Sequence, residues 1–100
     1  MHIIIWEFTV YEEHIQEFVS GYASDGDWAQ LFQRAEGYIG TELLRSAQQA
    51  DVFLTIDRWE SIARFERFLE RFGAEYKALD NKFASYTSSE EKVGVYMKSQ

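Results

Sequence analysis

The chain contains no cysteine. Disulfides, thiolate nucleophiles and cysteine-ligated metals are therefore excluded, and a reducing compartment is compatible with the sequence. Positive charge is scarce: ten Lys and Arg stand against seventeen Asp and Glu, a net charge of −7. No stretch is basic enough to follow a phosphate backbone or to rest on an anionic lipid surface, so neither nucleic acid nor membrane is an expected partner. Long hydrophobic runs are missing. The N-terminus, MHIIIWEFTV, holds a three-residue aliphatic run with no basic region before it. It reads as neither a signal peptide nor a span, and the expected location is the cytoplasm. There is no HExxH, HxH, acidic loop of EF-hand spacing, GxSxG or glycine-rich phosphate loop. No metal site, cofactor cradle or serine triad is expected.

What the chain has in plenty is aromatic side chains, 17% of 100 residues. The length fits a single domain, 1–100, burying roughly 60–65% of its unfolded surface. The most regular stretch is 62–86. Ile62, Phe65, Leu69, Phe72, Tyr76, Leu79, Phe83 and Tyr86 recur at alternating steps of three and four, one face of a helix. Arg64, Glu66, Arg67, Glu70, Arg71, Lys77, Asp80 and Lys82 occupy the other. Bulky rings in the stripe argue against a coiled-coil seam and for a helix lying on a sheet, with a joint at Gly73.

Residues 2–10 alternate, which predicts a strand with His2, Ile4, Trp6, Phe8 and Val10 toward the helices. Glu12 to Tyr22 carries Ile15, Phe18, Val19 and Tyr22 at helical spacing. Ser24-Asp25-Gly26-Asp27 predicts a turn and a helix start, with Asp25 or Asp27 as the helix cap. A short helix with Trp28, Leu31 and Phe32 follows, ended by Gly37. Stretches 38–46 and 52–59 read as a hairpin, Ser61 as the cap of the long helix, and 93–97 as a last strand.

The order β-α-β-β-α-β, with an extra short helix, matches an α+β ferredoxin-like fold: a four-stranded antiparallel sheet with helices on one face. Its other face is predicted to carry Ile3, Ile5, Glu7 and Thr9 beside Phe53, Thr55, Asp57 and Trp59. A surface that apolar is expected to be covered by a second copy, a homodimer, leaving a ligand cavity on the open sheet face.

Several segments together resemble the antibiotic biosynthesis monooxygenase-like family of dimeric α/β barrel proteins. They are Trp6-Glu7-Phe8-Thr9-Val10, Asp25-Gly26-Asp27-Trp28-Ala29-Gln30-Leu31-Phe32, Gly37-Tyr38-Ile39-Gly40-Thr41-Glu42-Leu43-Leu44 and Thr55-Ile56-Asp57-Arg58-Trp59-Glu60-Ser61, with Tyr76, Leu79, Asp80, Thr87, Glu90 and Gly94. The resemblance implies a dimer with a small aromatic or polyketide-like ligand. In some members it implies oxidation of polycyclic phenols by O2 without metal or flavin. Haem-degrading relatives use a helix histidine, and 61–86 has none.

On this reading Glu7 and Asp57 are candidate bases, carboxylates on half-apolar faces where desolvation raises a pKa. Trp28, Glu42, Tyr76 and Asp80 are candidate substrate-binding residues: a ring to stack on a substrate, and a phenol four residues from a carboxylate on one helix side. The competing expectation is a non-catalytic homodimer of the same fold that binds a small apolar ligand or serves a structural role.

Overall fold

The structure is a computed structural model and describes residues 1–99. Strand β1 (His2–Val10) is followed by a short 3-10 turn (Glu12–His14) and helices α1 (Ile15–Tyr22) and α2 (Asp27–Phe32). The hairpin of β2 (Tyr38–Arg45) and β3 (Val52–Trp59) comes next, then α3 (Ile62–Phe83), a 3-10 turn (Ala84–Tyr86) and β4 (Thr87–Tyr96). The strands form one antiparallel sheet in the order β2-β3-β1-β4, the ferredoxin-like arrangement. Helices cover one side of it.

Local chemistry explains most boundaries. Ser61 is extended, and its hydroxyl accepts from Arg64 N at 3.2 Å, satisfying one free donor of α3. Asp27 does not cap α2. Gly26 precedes the helix without a side-chain cap, while Asp27 sits in the first turn and meets Lys82 at 2.9 Å. Gly37 does not end α2 either; at φ 90 it turns the chain into β2, and its carbonyl accepts from Glu60 N at 2.7 Å. Gly21 admits α3: a Cβ there would lie 2.2 Å from Phe83 Cζ.

The α3 stripe is rotated from the predicted one. Phe68 is buried, whereas Ile62 and Leu69 are exposed. The helix breaks step where the sequence places its joint: Phe72 has φ −114, ψ 22, so the turns after it are re-aimed. The chain has no proline, so the neighbouring glycine is the soft point. A Cβ at Gly73 would meet nothing within 4 Å. We therefore expect Gly73→Ala to stabilise the fold by about 0.5–1 kcal/mol, read as a higher urea midpoint at unchanged slope.

The core is aromatic. Trp59, Phe18, Phe53 and Phe68 are almost fully buried. Trp59 meets Phe32, Tyr38, Phe65 and Phe68 at centroid distances of 5.2–5.5 Å.

The β1–β3 register corrects one expectation. His2 lies opposite Trp59, Ile4 opposite Asp57, Trp6 opposite Thr55 and Phe8 opposite Phe53. Directly opposed residues of an antiparallel pair share a face, so Phe53, Thr55, Asp57 and Trp59 point toward the helices. Leu54 and Ile56 join Ile3 and Ile5 on the open side, with Leu44 opposite Leu54 and Tyr96 opposite Ile3. Both faces of β3 are partly apolar, so counting hydrophobic residues picks the wrong one. β4 is also longer than 93–97. Its polar first half, Thr87 to Lys92, pairs with β1 as an outer strand, and a bulge at Val93 shifts the register between Ile5 and Trp6.

Candidate functional site

A cavity opens between the helix side of the sheet and the helices. Trp6 and Phe8 of β1, Thr55 and Asp57 of β3, and Thr41 of β2 form its floor. Tyr22 of α1, Trp28 and Phe32 of α2, and Tyr76 and Asp80 of α3 form its walls, and Glu90 of β4 completes the lining. At about 40 Å³ it has room for about two or three waters. The protein's own rings crowd it: Trp28 meets Tyr76 edge-on at 5.1 Å and Tyr22 at 5.9 Å.

The alternation of β3 aims Asp57 into this space, on the side away from the open face. Thr41, directly opposite on β2, donates from Oγ1 to Asp57 Oδ1 at 2.6 Å. Tyr38 OH lies 2.7 Å from the same Thr41 oxygen. The Thr41 proton is committed to the carboxylate, so Tyr38 must be the donor to Thr41. The chain of donation runs Tyr38 to Thr41 to Asp57 and ends on one carboxylate oxygen, and no hydrogen bond reaches Oδ2 from the described residues. Burial pushes the Asp57 carboxyl up to about 6, and the Thr41 hydrogen bond only partly opposes it. A carboxylate with one free oxygen and a pKa near neutrality is suited to accept a proton.

The surroundings are negative. Burial, then Asp80, Glu90 and Asp57, raise the Tyr76 phenol to about 12. Burial and Asp80 raise the Glu90 carboxyl. Burial is the main cause holding up the Tyr22 hydroxyl, with Glu90 and Asp80 adding to it. Asp80 and Glu90 are exposed at the mouth. No Lys, Arg or His lines the cavity. Lys82 is engaged by Asp27, and Lys92 lies opposite Trp6 across the β1–β4 pair without being among the lining residues. Two buried indole N–H groups, of Trp28 and Trp59, have no hydrogen-bond partner. Trp28 Nε1 stands beside Tyr22 without hydrogen-bond geometry.

Of the residues singled out in the sequence, Asp57, Trp28, Tyr76 and Asp80 meet in this cavity. Glu7 and Glu42 do not. Glu7 lies on the open face between Leu54 and Glu91, and Glu42, opposite Ile56, is exposed and ion-paired with Arg58. The enclosed space thus lies on the helix-covered side, opposite to the one predicted, because the faces of β3 are reversed. Thr41 and Tyr38 were not anticipated. Their signal is the hairpin register, which sets a hydroxyl against Asp57. Among the described residues no group of three or more His, Asp or Glu could hold a metal ion. Among the described residues no helix is long and apolar enough to cross a membrane.

Comparison with solved structures finds the same fold repeatedly. SnoaB from Streptomyces nogalater, a cofactor-independent oxygenase seen as its N63A mutant, aligns with a TM-score of 0.81 at 23% identity, covering 99% of this chain and 93% of that one. A candidate antibiotic biosynthesis monooxygenase from Bordetella bronchiseptica gives 0.76 at 18% identity, over 99% and 97%. A conserved protein from Methanosarcina mazei gives 0.74 at 14%, over 98% and 92%. No curated protein matches the sequence. The model of the family described as antibiotic biosynthesis monooxygenase matches residues 1–79, most of the chain and all the cavity-lining elements except the end of α3 and β4. The chain belongs to the antibiotic biosynthesis monooxygenase family.

Proposed function

We propose that the protein is a monooxygenase that oxidises an aromatic, polyketide-like phenol with O2 and without a cofactor of its own, Asp57 serving as the base. The observation that carries this reading is a desolvated carboxylate, held on one oxygen by Thr41 and free on the other, in an aromatic-walled cavity. Asp57 takes a proton from the activated position of the substrate. The electrons left on carbon reduce O2; one oxygen atom stays as the new carbonyl and the other leaves as water. Trp28 and Tyr76 stack on the substrate rings, and the Trp28 N–H is a donor for oxyanion charge. The small volume requires the α3 turns after Phe72 to move outward as substrate enters. Fold likeness to a cofactor-independent oxygenase supports the chemistry by analogy.

The test is oxygen uptake with a panel of anthrone-like phenols, with and without chelator. Consumption unaffected by chelator is expected; no turnover across the panel would overturn the reading. One observation favours a second reading, a non-catalytic ligand-binding or structural dimer: the cavity is largely occupied by the protein's own rings.

The working form under either reading is a cytoplasmic homodimer. Ile3, Ile5, Leu54, Ile56, Leu44 and Tyr96 make an open sheet face that a single chain leaves in water. Light scattering at micromolar concentration is expected to give about twice 11.8 kDa. A monomer mass there counts against pairing.

A further inference from the structure

The established family membership says nothing of the charge of the ligand, and the cavity does. Its lining presents carboxyl groups from three elements, Asp57 on β3, Asp80 on α3 and Glu90 on β4, and no cationic side chain. Six of its lining side chains are aromatic: Trp6, Phe8, Tyr22, Trp28, Phe32 and Tyr76. Of the nearby cations, Lys82 is paired with Asp27 and Arg58 with Glu42 on the opposite face, while Lys92, opposite Trp6 on β4, is not among the lining residues. The site is therefore rich in acceptors and π-faces; its donors are Trp28 Nε1, on a residue with only 7% of its surface exposed, and the Tyr22 and Tyr76 hydroxyls.

We propose that the ligand of this cavity is an aromatic compound bearing a protonated amine, with the ammonium at the mouth between Asp80 and Glu90 and the rings against Trp28 and Tyr76. This rests on the reading of the cavity as the substrate site. A cation near aromatic faces is attracted by their quadrupoles, and more so where water is excluded. Two mouth carboxylates add Coulomb attraction, and they repel a phenolate or carboxylate ligand by the same amount. The ammonium also answers a need of the proposed chemistry. Proton transfer to Asp57 moves its negative charge onto the substrate, in a cavity whose mouth also holds Asp80 and Glu90. A substrate that carries its own positive charge supplies the missing counterion.

The experiment uses three naphthols matched in shape, carrying an aminomethyl, a methyl or a carboxylate group. Binding to the intact protein is followed by tryptophan fluorescence, since Trp6 and Trp28 line the cavity. The aminomethyl compound is expected to bind about ten- to a hundredfold tighter than the methyl one, and the carboxylate not measurably. In an Asp80→Asn, Glu90→Gln protein with an unchanged circular dichroism spectrum, that preference should fall to less than threefold. Equal binding of amine and methyl compounds, a preference that survives the double substitution, or no binding by any of the three would overturn the proposal. Because no turnover is read, tight selective binding without oxygen uptake would leave the ligand class standing and remove only the oxygenase reading.

Discussion

An Asp57→Asn protein is expected to be more stable than the native chain at pH 8 and, under the proposed oxygenase reading, to lose its turnover. The stability follows from linkage. The folded chain holds the Asp57 proton up to about pH 6, whereas an unperturbed Asp releases it near 3.8. Between those values the native state binds more protons than the unfolded one, so stability falls as pH rises through that window, and the penalty is complete above it. About two units correspond to at most about 3 kcal/mol. The amide keeps an acceptor for Thr41 but adds an N–H pair with no partner, which returns part of the gain. We expect a net rise of about 1–2 kcal/mol at pH 8, vanishing near pH 4, measured by urea unfolding at both values. Loss of a positioned base costs about a hundred- to ten-thousandfold in turnover. Thr41→Val should act in the other direction on the titration. It removes the bond that stabilises the carboxylate, so the acid limb of the pH–rate profile moves to higher pH. A Thr41→Val profile that stays in place, or a less stable Asp57→Asn protein at pH 8, would show that Asp57 is not held in the desolvated state described above.

Trp59→Ala is expected to cost about 3–5 kcal/mol, the largest stability loss from any single truncation we would choose. The ring is fully buried at the end of β3, and each of its neighbours, Phe32, Tyr38, Phe65 and Phe68, comes from a different position on α2, β2 and α3. No flexible group stands ready to collapse into the space. Domains of this size are stable by only about 5–15 kcal/mol, so the variant should be close to half unfolded in mild denaturant. Trp59→Phe provides the contrast. It keeps a ring among the same partners and deletes the buried N–H that finds no acceptor, so a much smaller loss is expected. If both substitutions cost the same, packing around Trp59 is looser than the distances imply.

Periodicity carried the fold a long way and the site only part of it. β1 and β3 occur where alternation places them, Ser61 caps α3, and the break in α3 falls beside Gly73. These features are local: each depends on residues within a turn or a strand. The start of β4 was hidden because an outer strand of Ser, Glu and Lys has no hydrophobic face to announce it. The side of β3 was misjudged for a related reason. Val52, Leu54 and Ile56 look like core, but the register with β1 is fixed by Trp59 meeting His2 and Phe53 meeting Phe8, and that pairing is long-range. Asp57, Trp28, Tyr76 and Asp80, which line one cavity, could be singled out as candidates because chemistry-bearing side chains stand out in apolar stretches. Thr41 and Tyr38 could not be, since a hydroxyl becomes part of a site only when a neighbouring strand brings a carboxylate opposite it.

The outer position of β4 has a consequence for handling the protein. From Gly94 to Tyr96 its backbone pairs with β1 on one side only, and Val93 and Val95 are exposed, as is Met97. Such a row of free amides is a template for self-addition, and here it is opposed chiefly by mutual repulsion of like-charged molecules. That repulsion disappears near pH 4.7. Concentrated solutions brought to that acidity should deposit β-rich aggregate seeded from this segment, and a lysine at Val95 should keep them clear.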